Sequence, residues 1–301
     1  PPARCSTDTA SGRRDRARAV TRPPLPRWLL VAATVALLLV ALPLAGMAAR
    51  IPWTDAPALL TSESARAAIW LSLRTCALTT VLCMLLGTPL AVLLARSSGP
   101  VAGLARTVTV LPMVLPPVVA GLALLITLGR TGVVGRHLSV LGIEIGFTTA
   151  AVVIAQTFVA LPFLVVAVEG ALRSVDARLE RTAASLGASP TRILTTVTLP
   201  LVLPALLAGA TMSFARALGE FGATLTFAGS LQGTTRTLPL QIYLDRESDP
   251  EAALALAVLL IVVAAVLMAV GALAAHATSA GGDPDGRRAS GTARPSEADH
   301  G

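Results

Sequence analysis

The sequence predicts an all-α membrane protein with six transmembrane helices. Only 14% of its 301 residues are charged, against roughly 25% in a soluble domain, and the mean hydropathy is +0.73. The charged residues leave six charge-free gaps of 21 to 24 residues, about the length that a helix needs to cross a hydrocarbon core roughly 30 Å thick. Aromatic residues make up only 3% of the chain, too few for the aromatic girdles of a membrane β-barrel.

The predicted transmembrane domain covers residues 28–275. The uncharged run 221–235 is too short for a span and is rich in glycine, serine and threonine, so we interpret it as a loop or re-entrant segment buried in protein. The six spans follow the charge-free gaps and are placed at about 28–49, 70–95, 107–129, 147–168, 199–217 and 252–275.

Arginine indicates the orientation, since the chain contains no lysine. Seven arginines precede the first span, and the positive-inside rule therefore places both termini in the cytoplasm. The first span exceeds the 7–15-residue apolar region of a signal peptide, which favours a retained helix. The flanking tails, 1–27 and 276–301, are predicted to be disordered. The second tail nearly balances its acids against its arginines, so we interpret it as a solvated tail and predict no nucleic-acid partner.

The inventory of reactive residues excludes several chemistries. Without lysine the chain cannot form a P-loop that binds ATP phosphates, so ATP hydrolysis requires another subunit. The histidines and cysteines show no metal-ligand spacing, and Cys76 and Cys83 are predicted to be small buried apolar groups. We predict no catalytic residue, no metal and no cofactor in this chain. An ion-driven transporter would usually carry ionisable residues within its spans, and no acidic residue falls near a span centre.

The segment between the fourth and fifth spans, 173–198, is polar within an otherwise apolar region. Asp176 is expected to cap a helix, and Gly187 suits the left-handed position that ends it. Ser189 and Pro190 then start a second short helix. The residues alone leave two interpretations open: an element that docks in a groove of a partner, or a loop that packs on its own bundle.

Further residues of this segment define its surface and its exit. Leu179, Ala183 and Leu186 recur at i, i+4 and i+7 and form one apolar stripe. Pro200 is expected to turn the chain into the fifth span. The stretch "RTAASLGASPTRILTTVTLPLVLPALLAG" resembles the EAA loop of ABC importer permeases, in which a glycine follows the motif and a Leu-Pro pair opens the next helix.

In that family the loop is a coupling helix, which sits in a cleft of the ATP-binding subunit. The glutamate slot of the motif holds Arg181 in this chain, and Glu180 stands one position earlier. The resemblance implies an ATPase-coupling set of Leu179, Glu180, Arg181, Thr182, Ala183, Leu186, Gly187 and Ala188.

A second stretch, "FARALGEFGATLTFAGSLQGTTRTLPLQIY" at 214–243, looks like the permease subunit of molybdate importers. Sulfate and thiosulfate permeases are similar but tend to read GEYGS at the matching place. The resemblance covers about residues 67–274. It implies a type I importer permease of the bacterial inner membrane, with molybdate or tungstate as cargo and sulfate or thiosulfate as the alternative.

The same resemblance implies the partners. They are an ATP-binding-cassette subunit that binds ATP–Mg, a periplasmic or lipid-anchored oxyanion-binding protein, a second copy of this chain that completes the pore, and membrane lipid.

An oxyanion in low dielectric requires hydrogen-bond donors and positive potential. Arg216 and Glu220 stand four apart and are expected to form an exposed pair worth about 0.3–0.5 kcal/mol. We interpret the pair as part of an outer gate, the alternative being that it only marks the membrane boundary. Arg74 is expected at the outer interface. The predicted pathway and gate set is Ser213, Arg216, Gly219, Glu220, Phe221, Gly222 and Thr224, with further hydroxyls at Thr226, Thr234 and Thr235.

Overall fold

A computed structural model of the chain describes residues 26–280. These residues form α-helices and no strand, which confirms the all-α fold class. Of the predicted disordered tails 1–27 and 276–301, residues 1–25 and 281–301 lie outside the described residues. The predicted boundary at 276 is wrong, because the helix Pro250–Ala280 continues beyond it. The first helix, α1, covers Arg27–Ala49, forms a unit of its own and agrees with the first predicted span.

The second unit begins at Arg50 and contains all the other helices of the described residues. In chain order they are α2 (Ala56–Thr61), α3 (Glu63–Leu82), α4 (Thr88–Arg96), α5 (Pro100–Val114), α6 (Pro117–Leu128), α7 (Gly135–Val140), α8 (Thr149–Ser174), α9 (Ala177–Ser185), α10 (Pro190–Ile193), α11 (Leu199–Leu218), α12 (Gly222–Ala228), α13 (Leu238–Ser248) and α14 (Pro250–Ala280).

Two spans run continuously through a π-helical turn. Cys83–Gly87 joins α3 to α4 within Glu63–Arg96, and Leu194–Thr198 joins α10 to α11 within Pro190–Leu218. Each π turn ends two residues before a proline, whose ring would clash with a carbonyl of a regular α-helix. The extra residue of the π turn changes the local hydrogen-bond register. The expected turn at Pro200 is therefore wrong, because the helix continues through it.

The third predicted span, 107–129, is not one helix. The structure divides it into α5 and α6, which are bent by 117° relative to each other. Leu115 and Pro116 between them have extended backbones, with ψ of 133° and 136°. A residue before proline avoids the helical region, and the adjacent Pro116 and Pro117 lack N–H donors. With this bent pair counted as one span, the described residues hold six candidate spans, and otherwise five.

The core of the second unit is built around α8, which packs mainly against α11 and also against α3 and α4. Its residues Leu164 and Val168 lie in one buried cluster with Cys76 and Cys83, which are both fully buried as predicted. Helix α11 also packs closely against α14, where a Cβ atom on Gly271 would overlap the Thr211 side chain. Candidate functional residues lie just before the start of α11 and near its end.

Candidate functional site

The segment between α8 and α11 has the predicted helix–glycine–helix form. The Asp176 carboxylate accepts a hydrogen bond from the backbone N–H of Arg178 at 2.8 Å. Gly187 adopts a left-handed φ of 83°, and Ser189 Oγ accepts from the N–H of Arg192 at 3.4 Å. Caps of this kind satisfy donors that the first helical turn leaves unpaired. The local structure of this segment is therefore confirmed.

The two leucines of the predicted apolar stripe are exposed, Leu179 on α9 and Leu186 directly after it. None of the residues of α9 is buried, and the exposed fractions of Leu179 and Leu186 are 49% and 83%. Arg181 and Thr182 are also exposed, whereas Ala183 is half-buried. The interpretation as a loop that packs its apolar side on its own bundle does not fit this exposure. An exposed apolar stripe on a capped helix fits a surface that a partner covers.

Glu180 is the member of the predicted coupling set that turns toward the bundle. Its Oε1 lies 2.9 Å from Arg96 Nη2 and accepts a hydrogen bond of 2.5 Å from Thr198 Oγ1. The exposed fraction is 29% for the Glu180 side chain and 1% for Thr198. The carboxylate thus joins α9 to the end of α4 and to the π turn before α11.

A second charged cluster lies beside this junction. Arg106 Nε lies 2.6 Å from Glu169 Oε1, and Arg173 Nη2 lies 2.8 Å from the same oxygen. The Arg106 guanidinium also donates to the carbonyls of Leu94 and Ser97. Cationic donors near the last carbonyls stabilise the C-terminal end of a helix. Arg106 therefore holds the end of α4 to α5 and α8.

Arg216 and Glu220 lie at the opposite end of α11. Arg216 Nη1 is 2.7 Å from Glu220 Oε2, with side-chain exposures of 27% and 1%. The other carboxylate oxygen accepts from the N–H of Ala223 at 2.8 Å, so Glu220 also caps α12. The pairing is confirmed, but the expectation of an exposed pair is wrong. After α11 the chain turns back, and α12 places its first turn against the carboxylate.

Helix α12 occupies the uncharged run and packs against α6 and α8. Gly222, Thr224 and Phe227 on this helix are buried. A Cβ atom on Gly121 of α6 would lie 2.8 Å from the Ala223 carbonyl oxygen, so only glycine permits this close approach. The interpretation of the run as a short segment buried in protein is confirmed for most of α12, whereas residues 231–234 of the same run are exposed.

The remaining pathway candidates have different surroundings. Ser213 Oγ is buried and donates to the Ala160 carbonyl at 3.0 Å, so its hydroxyl joins α11 to α8. Thr224 Oγ1 is buried and has no hydrogen-bond partner among the described residues. Phe221 is half-buried, and its ring centroid lies 5.1 Å from that of Tyr243. Gly219 is exposed.

The predicted hydroxyls beyond this set are only partly available to a ligand. Thr226 Oγ1 donates to the Gly222 carbonyl, and buried Thr235 Oγ1 accepts from the Leu231 N–H. Thr234 is exposed. Arg74 is exposed on α3, and its place at the outer interface stays a prediction.

Gln156 was missed in the sequence because the spans were located by their lack of charge. Its side chain is 1% exposed, accepts from Thr79 Oγ1 at 3.1 Å and donates to the Ala217 carbonyl at 3.3 Å. It joins α8 to α3 and to the far end of α11. A lone amide within an apolar span was the available signal, since polar groups within spans usually bond to neighbouring helices.

The described residues form several helices long and apolar enough to span a membrane. One long span has an exposed helix–glycine–helix segment at its start and a buried charged pair near its end. The family model described as "Binding-protein-dependent transport system inner membrane component" matches residues 87–279. The chain belongs to this family of permeases.

Individual relatives agree with this assignment. The chain is 54% identical over 253 residues to "Molybdenum transport system permease protein ModB" of Mycobacterium tuberculosis, covering 83% of this chain and 96% of the relative. The Escherichia coli K12 protein of the same description is 42% identical over 177 residues, covering 58% and 77%. The fold is similar to a bacterial alginate ABC transporter chain, with a TM-score of 0.62, 20% identity and coverage of 88% and 96%.

Proposed function

We propose that this chain is the membrane-spanning subunit of an ATP-driven molybdate importer. The observation that carries the cargo assignment is the 54% identity, over nearly the full length of the relative, to a molybdenum transport permease. Tungstate is a second cargo of the same size and charge class. The exposed leucines Leu179 and Leu186 support the assignment of this segment as the element that couples to the ATPase. Burying these side chains against a partner surface would be favourable, because it removes apolar area from water.

The partners follow from the family and from the reactive groups that the chain lacks. A separate ATP-binding-cassette subunit binds ATP–Mg and receives α9, since the sequence has no lysine for a P-loop. A periplasmic or lipid-anchored oxyanion-binding protein delivers cargo at the opposite face. Two copies of the chain form the pore in the inner membrane, both termini are cytoplasmic, and lipid surrounds the spans. The chain itself needs no cofactor or metal.

The mechanism is alternating access. ATP binding closes the two ATPase subunits and moves the α9 helices that are docked on them. The spans attached to α9 then open the pore toward the loaded binding protein, and ATP hydrolysis returns the pore to the inward-open state. The permease does not require a tight anion site of its own, because the binding protein can select the cargo.

Arg216 and Glu220 form part of the outer gate in this mechanism. Their pair connects the end of α11 to the first turn of α12, so it changes only if these elements separate. We expect Arg216→Ala to change the basal ATPase rate of the complex. Unchanged ATPase and transport rates in this variant would contradict a gating role.

The test of the function uses the complex of this chain with its ATPase subunit in vesicles, with the binding protein added outside. Uptake of radioactive molybdate should require ATP and should be unaffected by excess sulfate. Uptake that sulfate abolishes would instead support the sulfate or thiosulfate permease, which the sequence leaves as the second candidate. ATP hydrolysis with no uptake of either anion would contradict both cargo assignments.

A further inference from the structure

Glu180 differs from its neighbours on α9 in the direction of its side chain. Leu179 and Leu186 face outward, whereas the Glu180 carboxylate is held by Arg96 at 2.9 Å and by Thr198 at 2.5 Å. Hydrogen bonds to an ionised carboxylate are roughly twice as strong as neutral ones. Glu180 is therefore attached to its own bundle and is not presented to a partner.

The two groups that hold Glu180 belong to two different spans. Arg96 is the last residue of the helix Glu63–Arg96, and Thr198 lies within the helix Pro190–Leu218, at the end of its π turn. Thr198 is 1% exposed and the Glu180 side chain 29%, so this contact is partly shielded from water, and a lower dielectric strengthens a satisfied hydrogen bond. A single carboxylate oxygen thus joins α9 to the ends of two spans.

The end of α4 is itself immobilised. Arg106 donates to the carbonyls of Leu94 and Ser97 and pairs with Glu169 on α8. Helix ends that lack such partners fray and open locally. Because this end is held to α5 and α8, a force applied at Arg96 displaces the packed helices and does not unwind the last turn of α4.

We infer that Glu180 is a positioning residue that transmits movement of α9 to these two spans, and that it does not bind the ATPase subunit. The inference rests on the proposed function and assigns separate roles within the coupling set. The leucine stripe docks on the partner, whereas Glu180 carries the displacement into the bundle. Arg181, in the glutamate slot of the motif, is exposed and donates to the Ala177 carbonyl of its own helix.

The test compares Glu180→Gln and Thr198→Val with Thr198→Ser, which keeps the hydroxyl. Arg130→Gln is the matched control, because it removes an exposed ion pair, 3.3 Å from Glu144, outside the coupling segment. Each variant is purified with the ATPase subunit and reconstituted in vesicles. We expect a normal content of ATPase subunit throughout and about a tenfold fall in molybdate imported per ATP for Glu180→Gln and Thr198→Val. Thr198→Ser and Arg130→Gln should remain near the wild-type ratio.

A second readout does not depend on the cargo. Spin labels at position 246, an exposed site on α13, report the distance between two copies, and the change in this distance on ATP binding should shrink in Glu180→Gln. The inference is wrong if Glu180→Gln loses the ATPase subunit, or if both the import ratio and the distance change match the wild type. A wild-type complex that shows the distance change but imports no molybdate would contradict the proposed cargo. The role of Glu180 would then be tested by comparing the distance change in Glu180→Gln with that in the wild type.

Discussion

Replacing either member of the Arg216–Glu220 pair should have unequal effects on stability. In the wild-type protein the Glu220 carboxylate is 1% exposed, and Arg216→Met leaves it the Ala223 N–H as a donor. Removing one partner of a fully buried pair costs about 3–5 kcal/mol. Because the Arg216 side chain is 27% exposed, water can reach part of the vacated volume, and we expect a cost of about 2–3 kcal/mol.

Glu220→Gln should cost less. The amide oxygen can still accept from Ala223, and Arg216 can turn its guanidinium toward water, so we expect about 1 kcal/mol. The double variant Arg216→Met/Glu220→Gln should cost less than the sum of the single variants, because no buried charge is left unpaired.

The assay is reversible unfolding of the purified protein in detergent, with tryptophan fluorescence as the signal. It compares the wild type, both single variants and the double variant. The reasoning requires Arg216→Met to be the more destabilised of the two single variants, and the double variant to cost less than their sum. Two equal single effects below about 0.5 kcal/mol, as measured for exposed pairs, would refute the argument from burial.

Three further predictions concern packing and docking. Gly121→Ala should destabilise the protein by about 1–3 kcal/mol, because the added Cβ meets the backbone of α12. The control is Gly170→Ala on α8, which should be neutral or stabilising because no atom lies within 4 Å of its Cβ. Equal effects of the two substitutions on unfolding would contradict this packing. Gln156→Leu should cost about 1 kcal/mol in detergent unfolding through its lost interhelical hydrogen bonds, and an unchanged midpoint would show that the amide adds no stability. Leu186→Glu should leave the free energy of unfolding unchanged, since the side chain is 83% exposed. It should reduce the amount of ATPase subunit that copurifies with the permease. Full recovery of the ATPase subunit would contradict docking by the leucine stripe.

The local structure of the coupling segment could be predicted because it depends on neighbouring residues. Asp176, Gly187 and Ser189 each fix a helix end through contacts within a few positions of the chain. The six charge-free gaps agree with the candidate spans of the described residues if the bent α5–α6 pair counts as one span, and exceed them by one otherwise. These features require no knowledge of which helices are neighbours.

The rest depends on contacts that are distant in the sequence or on backbone geometry. Arg96 and Glu180 are far apart in the chain, and their contact follows from how α4 packs on α8. The break before Pro117 is invisible to a count of charges, although the Pro-Pro pair was a usable signal. The burial of Glu220 requires α12 to fold back beside it, which a spacing of four residues on one helix does not indicate.

The central claim is that this chain forms the pathway of a molybdate importer. The most direct measurement is the molybdenum content of cells that lack the chain, grown in nanomolar molybdate with and without excess sulfate. The account predicts a loss of molybdenum in the deletion strain, no comparable loss when sulfate competes in the parent strain, and intact sulfate assimilation. Normal molybdenum together with impaired sulfate uptake would contradict the cargo assignment.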